Sequence, residues 1–408
     1  MTRTKEMPSN EEMSLLLFAR FAAVEDPRRH AHKVVFPLEL LLLIVFGAAL
    51  SDMPGWQGAA DFARLKEAWL RTLCPWDGEG TPSADTLERV MGMLDVDLFA
   101  EGFSAWMRDV AARRALPVNG VQQVAVDGKS LQGARTPGAP SVPMHLVHTF
   151  LVEGRDSLLV GLAPAPGGAS AEAAVAADLL SLLELTDTVV TGDANLLTGA
   201  LADSIVAAGG EYVLSLKGNR GPSHGTVREA LCIAGNKEVL NEERAESLCD
   251  SRTDGGEEAG HGREERRRGW AFDVKHFPRV WSYLPHARSV LALVRERTAV
   301  TPNGSKTSIE PHFFVSTLNP TKAEAMATFV RAHWEVENGL HQRLDVVLHE
   351  DATRIHNGPG AQNLAVVRRA ALAVLKTDTT YKASLPRRVR QAGHDDAYRT
   401  HLLTLVIS

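Results

Sequence analysis

The sequence has few cysteines, no long apolar run and no excess of positive charge. Only three of its 408 residues are cysteines, and they are far apart. This excludes a disulfide framework or a cysteine-rich zinc site and is typical of a reducing compartment. The most apolar stretch, Leu40–Leu50, is much shorter than the roughly 20 residues of a spanning helix. We interpret it as a core helix and expect no membrane association.

The charge balance and the N-terminal residues bound the location and the partners. The net charge is −6, which by itself does not indicate nucleic-acid binding, although binding needs only a local basic face. The first residues are polar and charged and carry no secretory signal. We therefore expect a cytoplasmic protein.

What the chain does contain is the composition of a globular protein of several domains. Hydrophobic residues make up 44% and charged residues 23%, and a chain of this length exceeds one ordinary core. The patterns change at four places and predict five segments: a helical N-terminal domain at 1–118, a core at 119–219, a mainly β insertion at 220–325, final core helices at 326–375 and a basic tail at 376–408. The helical domain could read DNA, or it could serve packing or dimerisation.

The local patterns predict particular helices in the N-terminal domain. Apolar residues at three- and four-residue steps favour helices at 11–24, 56–73 and 97–112. Pro37 suits the first position of the Leu40–Leu50 helix. Ser83 is placed to cap the helix that follows it.

From residue 119 the pattern becomes that of a mixed α/β sheet. Strands are predicted at 121–126, 144–152 and 157–163, and they are followed by alternating helix and strand up to Leu216. Three consecutive strands followed by this alternation indicate a mixed sheet. The same order occurs in ribonuclease H-like cores.

Two aspartates follow apolar, β-branched runs in this region. Asp127 follows Val124–Val126, and Asp193 follows the run at 188–192. Ligands of open α/β sheets gather at the carboxyl ends of strands, and Mg²⁺ prefers carboxylate oxygens. The two aspartates could therefore share hard cations. Taken alone, Asp127 could also be a turn residue and Asp193 a helix cap.

A third carboxylate is selected by helical phase in the segment 322–345. Val330, His333, Glu337, Leu340 and Leu344 fall on one stripe. A glutamate on a face that packs against a sheet is unfavourable unless it is paired or binds a metal. Glu337 is therefore the third candidate, with a salt bridge to an arginine or a protonated histidine as the alternative.

The C-terminal part of the chain is basic. From Ala352 to Ser408 there are nine lysines and arginines against three aspartates, a balance of 9 − 3 = +6. This asymmetry indicates either a surface that faces phosphates or a solvated helix face.

Taken together, the motifs resemble those of the bacterial insertion-sequence transposases of the DDE superfamily, of the H-repeat-associated type. The resemblance extends from Asp26 to Arg369. The motifs that carry it are, in chain order, Asp127-Gly128-Lys129-Ser130-Leu131, Gly192-Asp193-Ala194, Leu216-Lys217-Gly218-Asn219, His261-Gly262-Arg263-x-Glu265-x-Arg267, Arg331-x-His333-Trp334-x-Val336-Glu337-Asn338-x-x-His341, Leu344-Asp345-Val346, Glu350-Asp351 and Asn363-Leu364-Ala365.

The resemblance implies a ribonuclease H-like core, with a helical N-terminal domain and a β insertion before the last catalytic helix. It implies that Asp127, Asp193 and Glu337 are the catalytic, metal-binding triad. Mg²⁺ would be the cofactor, with Mn²⁺ able to substitute. The contacts to DNA that it implies are Lys129, Lys217, Arg263, Arg331 and His333.

The resemblance also implies the partners and the reaction. Double-stranded DNA would be bound as terminal inverted repeats and as target DNA, by a homodimer associated with the nucleoid. The reaction would be metal-dependent cleavage and strand transfer.

The sequence departs from the family pattern at several polar positions. The family's Lys-Ser/Thr-Asn-Glu segment is Ala169-Ser170-Ala171-Glu172, and Gln132 and Gln342 stand where arginine and tryptophan are usual. Two alternatives therefore stay open. One is a domesticated or decayed DNA-binding protein without catalysis. The other is a metal-dependent nuclease that does not join strands.

Overall fold

The computed structural model describes residues 25–29, 34–113, 121–136, 139–153, 156–233, 236–260, 263–284, 286–301, 304–352, 355 and 358–407. Within these ranges some side chains are not described, including those of residues 257–263, 335–338 and 341. The helix predicted at 11–24 lies outside the described residues.

The N-terminal part is helical, as the periodicity predicts. Its helices are α1 (Leu38–Leu50), α2 (Gly55–Leu65), α3 (Glu67–Leu73), α4 (Ala84–Met91) and α5 (Val96–Arg113). Pro37 is the residue before α1 and not its first residue. The predicted helix at 56–73 is two helices, because Lys66 leaves helical geometry with φ −114°. The Ser83 side chain accepts a hydrogen bond from the Thr86 amide, which confirms the cap.

The core is a nine-stranded sheet in the order β3-β2-β1-β4-β5-β11-β10-β9-β8. The first five strands are β1 (Gln122–Thr136), β2 (Ala139–Glu153), β3 (Asp156–Pro164), β4 (Thr188–Gly192) and β5 (Glu211–Leu216), with α6 (Glu172–Leu180) and α7 (Gly199–Ala207) between them. β1, β2 and β3 are antiparallel neighbours, while β1, β4 and β5 are parallel. This is the strand order of a ribonuclease H-like core, so the predicted mixed α/β fold is confirmed.

The β1 strand is longer than the sequence pattern predicts. Its pairing with β4 stops at Val126 and Gly192, but its pairing with β2 continues to Thr136. Asp127 therefore lies inside a long hairpin and not at the end of a strand. The sequence pattern fails here because Asp127-Gly128 looks like a turn, whereas cross-strand pairing with β2 keeps both residues in the strand, opposite His148 and Val147.

The strands of the insertion continue the core sheet. β8 (Ser251–Gly260), β9 (Arg263–Asp273), β10 (Ser289–Thr301) and β11 (Gly304–Ser316) follow one another, and β11 pairs with β5. The smaller elements of this region are α8 (Gly221–Leu231), β6 (Cys232–Ile233), β7 (Asn236–Leu240), α9 (Glu242–Leu248) and α10 (Pro278–Tyr283). The insertion is thus mainly β and joins the same sheet.

Four helices complete the chain: α11 (Ala323–Val346), α12 (Gly358–Thr377), α13 (Leu385–His394) and α14 (Asp396–Ile407). α11 lies across one face of the sheet, where Met326 and Val330 pack with Leu291 and Phe314. α12 is buried along most of its length and contacts α1, α4 and α5 as well as β1 and β3. It therefore joins the N-terminal helices to the sheet in one hydrophobic core.

Part of the basic charge of the C-terminal region is internal. Arg368, Arg369 and Arg399 are buried, whereas Arg387 and Arg390 are exposed. The buried three do not belong to a phosphate-facing or solvated surface. Sequence periodicity does not separate the two groups, because burial is decided by which helix face meets the core.

No single helix among the described residues is both long enough and apolar enough to cross a membrane. The pair α1 and α2 meets that length and composition test only together, across a bend of 102°. Both helices carry core residues.

Candidate active site

Two carboxylates meet at the middle of the sheet. Val126 of β1 pairs with Gly192 of the parallel strand β4, so Asp127 and Asp193 each follow one residue beyond the same pair. Neighbouring strands lie about 4.8 Å apart. The Asp127 side chain is buried, with 7% exposed, whereas the Asp193 side chain is 37% exposed.

The loop after β4 holds the Asp193 side chain through local contacts. One carboxylate oxygen of Asp193 accepts a hydrogen bond from the Asn195 amide at 2.5 Å. Thr198, and not Asp193, caps α7. The helix-cap alternative for Asp193 is therefore wrong, and its second carboxylate oxygen lies 3.5 Å from Lys217 Nζ.

The α11 helix docks against this pair through His333. The His333 ring is buried, and its Nδ1 lies 3.1 Å from the Thr191 hydroxyl on β4. The Gln123 amide donates to that hydroxyl at 3.0 Å and to the Phe329 carbonyl of α11 at 2.9 Å. Two of these polar contacts thus hold one turn of α11 beside the strands that carry Asp127 and Asp193, and the third joins those strands to each other.

The pKa of His333 depends on burial and on the charged groups around its ring. Burial is the main cause that lowers the pKa of His333; Lys217 lowers it further, while Asp127 and Asp193 act to raise it. The net effect lowers the pKa of His333, and burial favours the uncharged ring. Both aspartates are close enough to act on its ring, which places all three groups in one neighbourhood.

Glu337 follows His333 by four residues in α11, which is about one turn along the same helix face. Its side chain lies outside the described residues, so its role as third carboxylate stays a prediction. Asp127 and Asp193 are brought together, and the backbone of α11 passes beside them.

A fourth carboxylate, Glu172, lies behind Gly128. Glu172 is the first residue of α6 and is buried. Its Oε2 lies 3.5 Å from His145 Nε2 and 3.4 Å from the side-chain nitrogen Nδ2 of Asn195. His145 Nδ1 is 3.0 Å from the Ser130 hydroxyl. These contacts link β1 and β2 to the loop that follows Asp193.

Gly128 is required where these groups approach the backbone. A Cβ at residue 128 would lie 2.5 Å from His145 Nε2 and 2.7 Å from Glu172 Oε1. Gly128→Ala is therefore expected to destabilise the fold by about 1–3 kcal/mol through overpacking, as measured by urea unfolding. The matched control is Gly225→Ala in α8, where a Cβ meets nothing within 4 Å. That change should be neutral or slightly stabilising, and equal losses in both variants would contradict the interpretation.

The five predicted DNA contacts have different surroundings. Lys217 is exposed and lies beside Asp193. Arg331 is half-buried, and His333 is buried against β4. Lys129 is only 6% exposed and its ammonium contacts Asp345 and Glu350. Among these five, Lys217 is the cation best placed to meet a phosphate at the aspartate pair.

Arg263 is the first residue of β9 and pairs with Ala299 of β10. Its side chain lies outside the described residues. Along β9, Arg263 is six residues from Gly269. Gly269 pairs with Leu293 of β10, and Leu293 pairs in turn with His312 of β11. That separation is about 20 Å, so the sheet does not place Arg263 beside the aspartate pair.

Several site residues carry no clear signal in the sequence. His148, Glu350 and Arg369 form buried polar contacts close to Asp127. Besides the family motif Glu350-Asp351, the sequence signal for them is the pair Arg368-Arg369 inside an otherwise apolar run from Ala365 to Leu375. Two arginines in such a run indicate buried partners, because an unpaired buried charge is strongly unfavourable.

The strand order and the paired aspartates define a ribonuclease H-like protein with acidic residues at the centre of its sheet. The chain belongs to the DDE transposase family. Residues 122–375 match the family described as "Transposase DDE domain", and residues 18–107 match the associated "DDE_Tnp_1-associated" family. The predicted family resemblance is confirmed.

Relatives from Escherichia coli match nearly the whole chain. "Putative protein YbfL" of strain K12 is 30% identical over 92% of this chain and 94% of its own length. "H repeat-associated putative transposase YhhI" of the same strain is 29% identical over the same shares. A solved piggyBac transposase synaptic complex with hairpin DNA aligns at a TM-score of 0.44 and 10% identity, over 99% of this chain and 83% of that chain.

Proposed function

We propose that this protein is a DNA transposase that cuts the ends of an insertion sequence and joins them to target DNA with the help of divalent metal ions. The observation that carries the proposal is the register of β1 and β4, which sets Asp127 and Asp193 side by side next to α11. Membership of the DDE transposase family supports the same chemistry.

The residues at this site suit magnesium. Carboxylate oxygens are the ligands that Mg²⁺ prefers, and Mn²⁺ accepts the same donors. Among the described side chains, no group of three or more histidines, cysteines or acids is arranged to hold a metal. Asp127 and Asp193 would hold the ions together with Glu337, whose helix passes beside them. Divalent ions held by these residues would supply activation of the attacking water or 3′-hydroxyl and stabilisation of the leaving oxygen.

The other side chains of the site have roles that follow from their contacts. His333 is buried, and its contact with the Thr191 hydroxyl would hold α11 against β4 beside the carboxylates. Lys217 is 60% exposed beside Asp193 and would bind a phosphate oxygen of the substrate strand. Trp334 packs edge-on against His312 of β11, with ring centroids 5.4 Å apart, and the Arg295 guanidinium of β10 lies 5.9 Å from the centre of its ring.

The substrate and assembly follow from the reaction. Double-stranded DNA carrying terminal inverted repeats, and then target DNA, would be bound at the nucleoid in the cytoplasm. Two ends must be held together for joining, which favours a homodimer on DNA. Lys129, Arg263 and Arg331 were predicted to contribute DNA contacts; of these, Arg331 is the half-buried residue nearest His333 along α11.

The experiment incubates the full chain with duplex DNA that carries the element's own ends, together with Mg²⁺ or Mn²⁺, and resolves the products on a denaturing gel. Cleavage at the ends together with joined products is expected. Cleavage without joining would indicate a nuclease. DNA binding without breakage under either metal would indicate a DNA-binding protein without catalysis, and both outcomes overturn the proposal.

A further inference from the structure

Lys129 lies two residues after Asp127 on β1, and alternate residues of a strand share one face. Its side chain is buried, and Nζ lies 2.5 Å from Asp345 Oδ1 and 3.3 Å from Glu350 Oε2. Asp345 is in the last turns of α11, and Glu350 is in the segment that follows it. The lysine therefore joins the strand of Asp127 to the end of the helix that carries Glu337.

Glu350 is held from its other side by α12. Arg369 donates to the two Glu350 carboxylate oxygens at 2.6 and 3.3 Å. Its Nε donates to His148 Nε2 at 2.7 Å. The Glu350 side chain is 2% exposed and that of Arg369 is 0% exposed. Such a two-pronged contact between buried ions fixes both distance and orientation.

His148 connects Arg369 to the main chain of Asp127. Its Nδ1 lies 3.2 Å from the main-chain carbonyl oxygen of Asp127. A carbonyl only accepts hydrogen bonds and a guanidinium only donates them, so Nδ1 carries the proton and Nε2 has the lone pair. The contacts run from Lys129 through Glu350, Arg369 and His148 to Asp127, and thus begin and end on β1.

The charges within this ring balance. Lys129 and Arg369 contribute two positive charges, and Asp345 and Glu350 contribute two negative charges. To reach a phosphate, the buried Lys129 would have to leave both carboxylates, and the 2% exposed Glu350 would then keep Arg369 as its cation but lose the charge of Lys129. Removing a cation from a buried ionic cluster is unfavourable. The geometry thus disfavours the DNA contact that the family resemblance implies for Lys129.

We infer that Lys129 is a positioning residue and not a DNA contact: with Glu350, Arg369 and His148 it holds the main chain of Asp127 in register with α11 and α12. Its effect on the reaction passes through the position of the Asp127 carboxylate. The inference rests on the proposed function for its effect on cleavage, but its effect on the strand and on DNA binding can be measured separately.

The first measurement is the salt dependence of DNA binding without divalent metal. Each phosphate contact makes the slope of log K against log salt concentration steeper by about one. Lys129→Met should have the same slope as the wild type, whereas the slope of the exposed control Lys217→Met should be less steep by about one. A slope lowered by about one in Lys129→Met would overturn the inference.

The second measurement is amide hydrogen exchange over residues 124–130, which needs neither DNA nor cleavage. In Lys129→Met the exchange of this segment should be at least tenfold faster than in the wild type, and in Lys217→Met it should be unchanged. Unchanged protection in Lys129→Met would overturn the inference. If the wild type fails to cleave DNA, the proposed function falls, while this measurement still decides the role of Lys129.

A double variant keeps the test valid if Lys129→Met does not fold. Lys129→Met combined with Glu350→Gln removes one charge of each sign, so no unpaired carboxylate is left at residue 350. Its salt slope should equal that of the wild type, and its cleavage rate should fall at least tenfold without a change in the KM for DNA. A reduced slope, or a full cleavage rate with wild-type protection, would overturn the inference.

Discussion

Replacing Asp127 with asparagine is expected to reduce metal-dependent DNA cleavage by about a thousandfold or more. The change keeps the shape of a buried side chain but removes the negative charge that would hold the cation beside Asp193. A thousandfold loss corresponds to about 4 kcal/mol of transition-state stabilisation, which is the size expected when a metal ligand is lost. The measurement is the single-turnover rate of end cleavage at saturating Mg²⁺.

The matched control for this prediction is Asp178→Asn on the exposed side of α6. It removes the same charge at an exposed position, six residues along α6 from Glu172, and should leave the rate unchanged. The denaturant midpoint of Asp127→Asn should stay close to that of the wild type, which shows that the loss is chemical. A cleavage rate in Asp127→Asn within tenfold of the wild type would refute the two-aspartate mechanism.

Replacing Arg369 with methionine is expected to lower the free energy of unfolding by about 3–5 kcal/mol, the usual effect of removing one partner from a buried ion pair. Arg369 is completely buried and donates to Glu350 and to His148. Methionine fills much of its volume but leaves His148 Nε2 without the Arg369 donor and Glu350 with the contact to Lys129. Urea unfolding followed by circular dichroism measures the loss.

Arg390→Met on α13 is the control, because Arg390 is exposed. Its unfolding midpoint should match that of the wild type. Adding Glu350→Gln to Arg369→Met should restore part of the stability, since the carboxylate would no longer be buried without its main partner. A loss below about 1 kcal/mol in Arg369→Met would show that the buried contacts contribute no more than an exposed ion pair.

The sequence predicts much of the fold because local patterns determine it. Apolar steps of three and four residues locate α5 and α11, the apolar run Leu40–Leu50 locates α1, and the capping serine locates the start of α4. The β5 strand has the bounds that its apolar run predicts. Boundaries are wrong where a tertiary contact overrides the local pattern: β1 extends through Gly128 because β2 pairs with it, and the helix at 56–73 breaks at Lys66.

The site was predictable as far as each residue carries its own chemical signal. Asp127 and Asp193 follow apolar runs, and the register of β1 and β4 brings them together. Glu172, His148 and Arg369 could not be assigned from the sequence, because nothing in the local pattern indicates which distant side chain will complete a buried hydrogen bond. The same limit applies to the basic C-terminal region, where total charge does not reveal which arginines are internal.

By itself, the sequence determined the family, the mixed α/β class and the two aspartates that its strands present, because periodicity and motif order are properties of the chain alone. Only the tertiary structure decided that Lys129 lies between Asp345 and Glu350 and that Arg369 faces the core. A charged side chain has the same sequence signature whether it meets water, DNA or a buried carboxylate. Its environment is chosen when helices and strands distant in sequence pack together and leave it one set of partners.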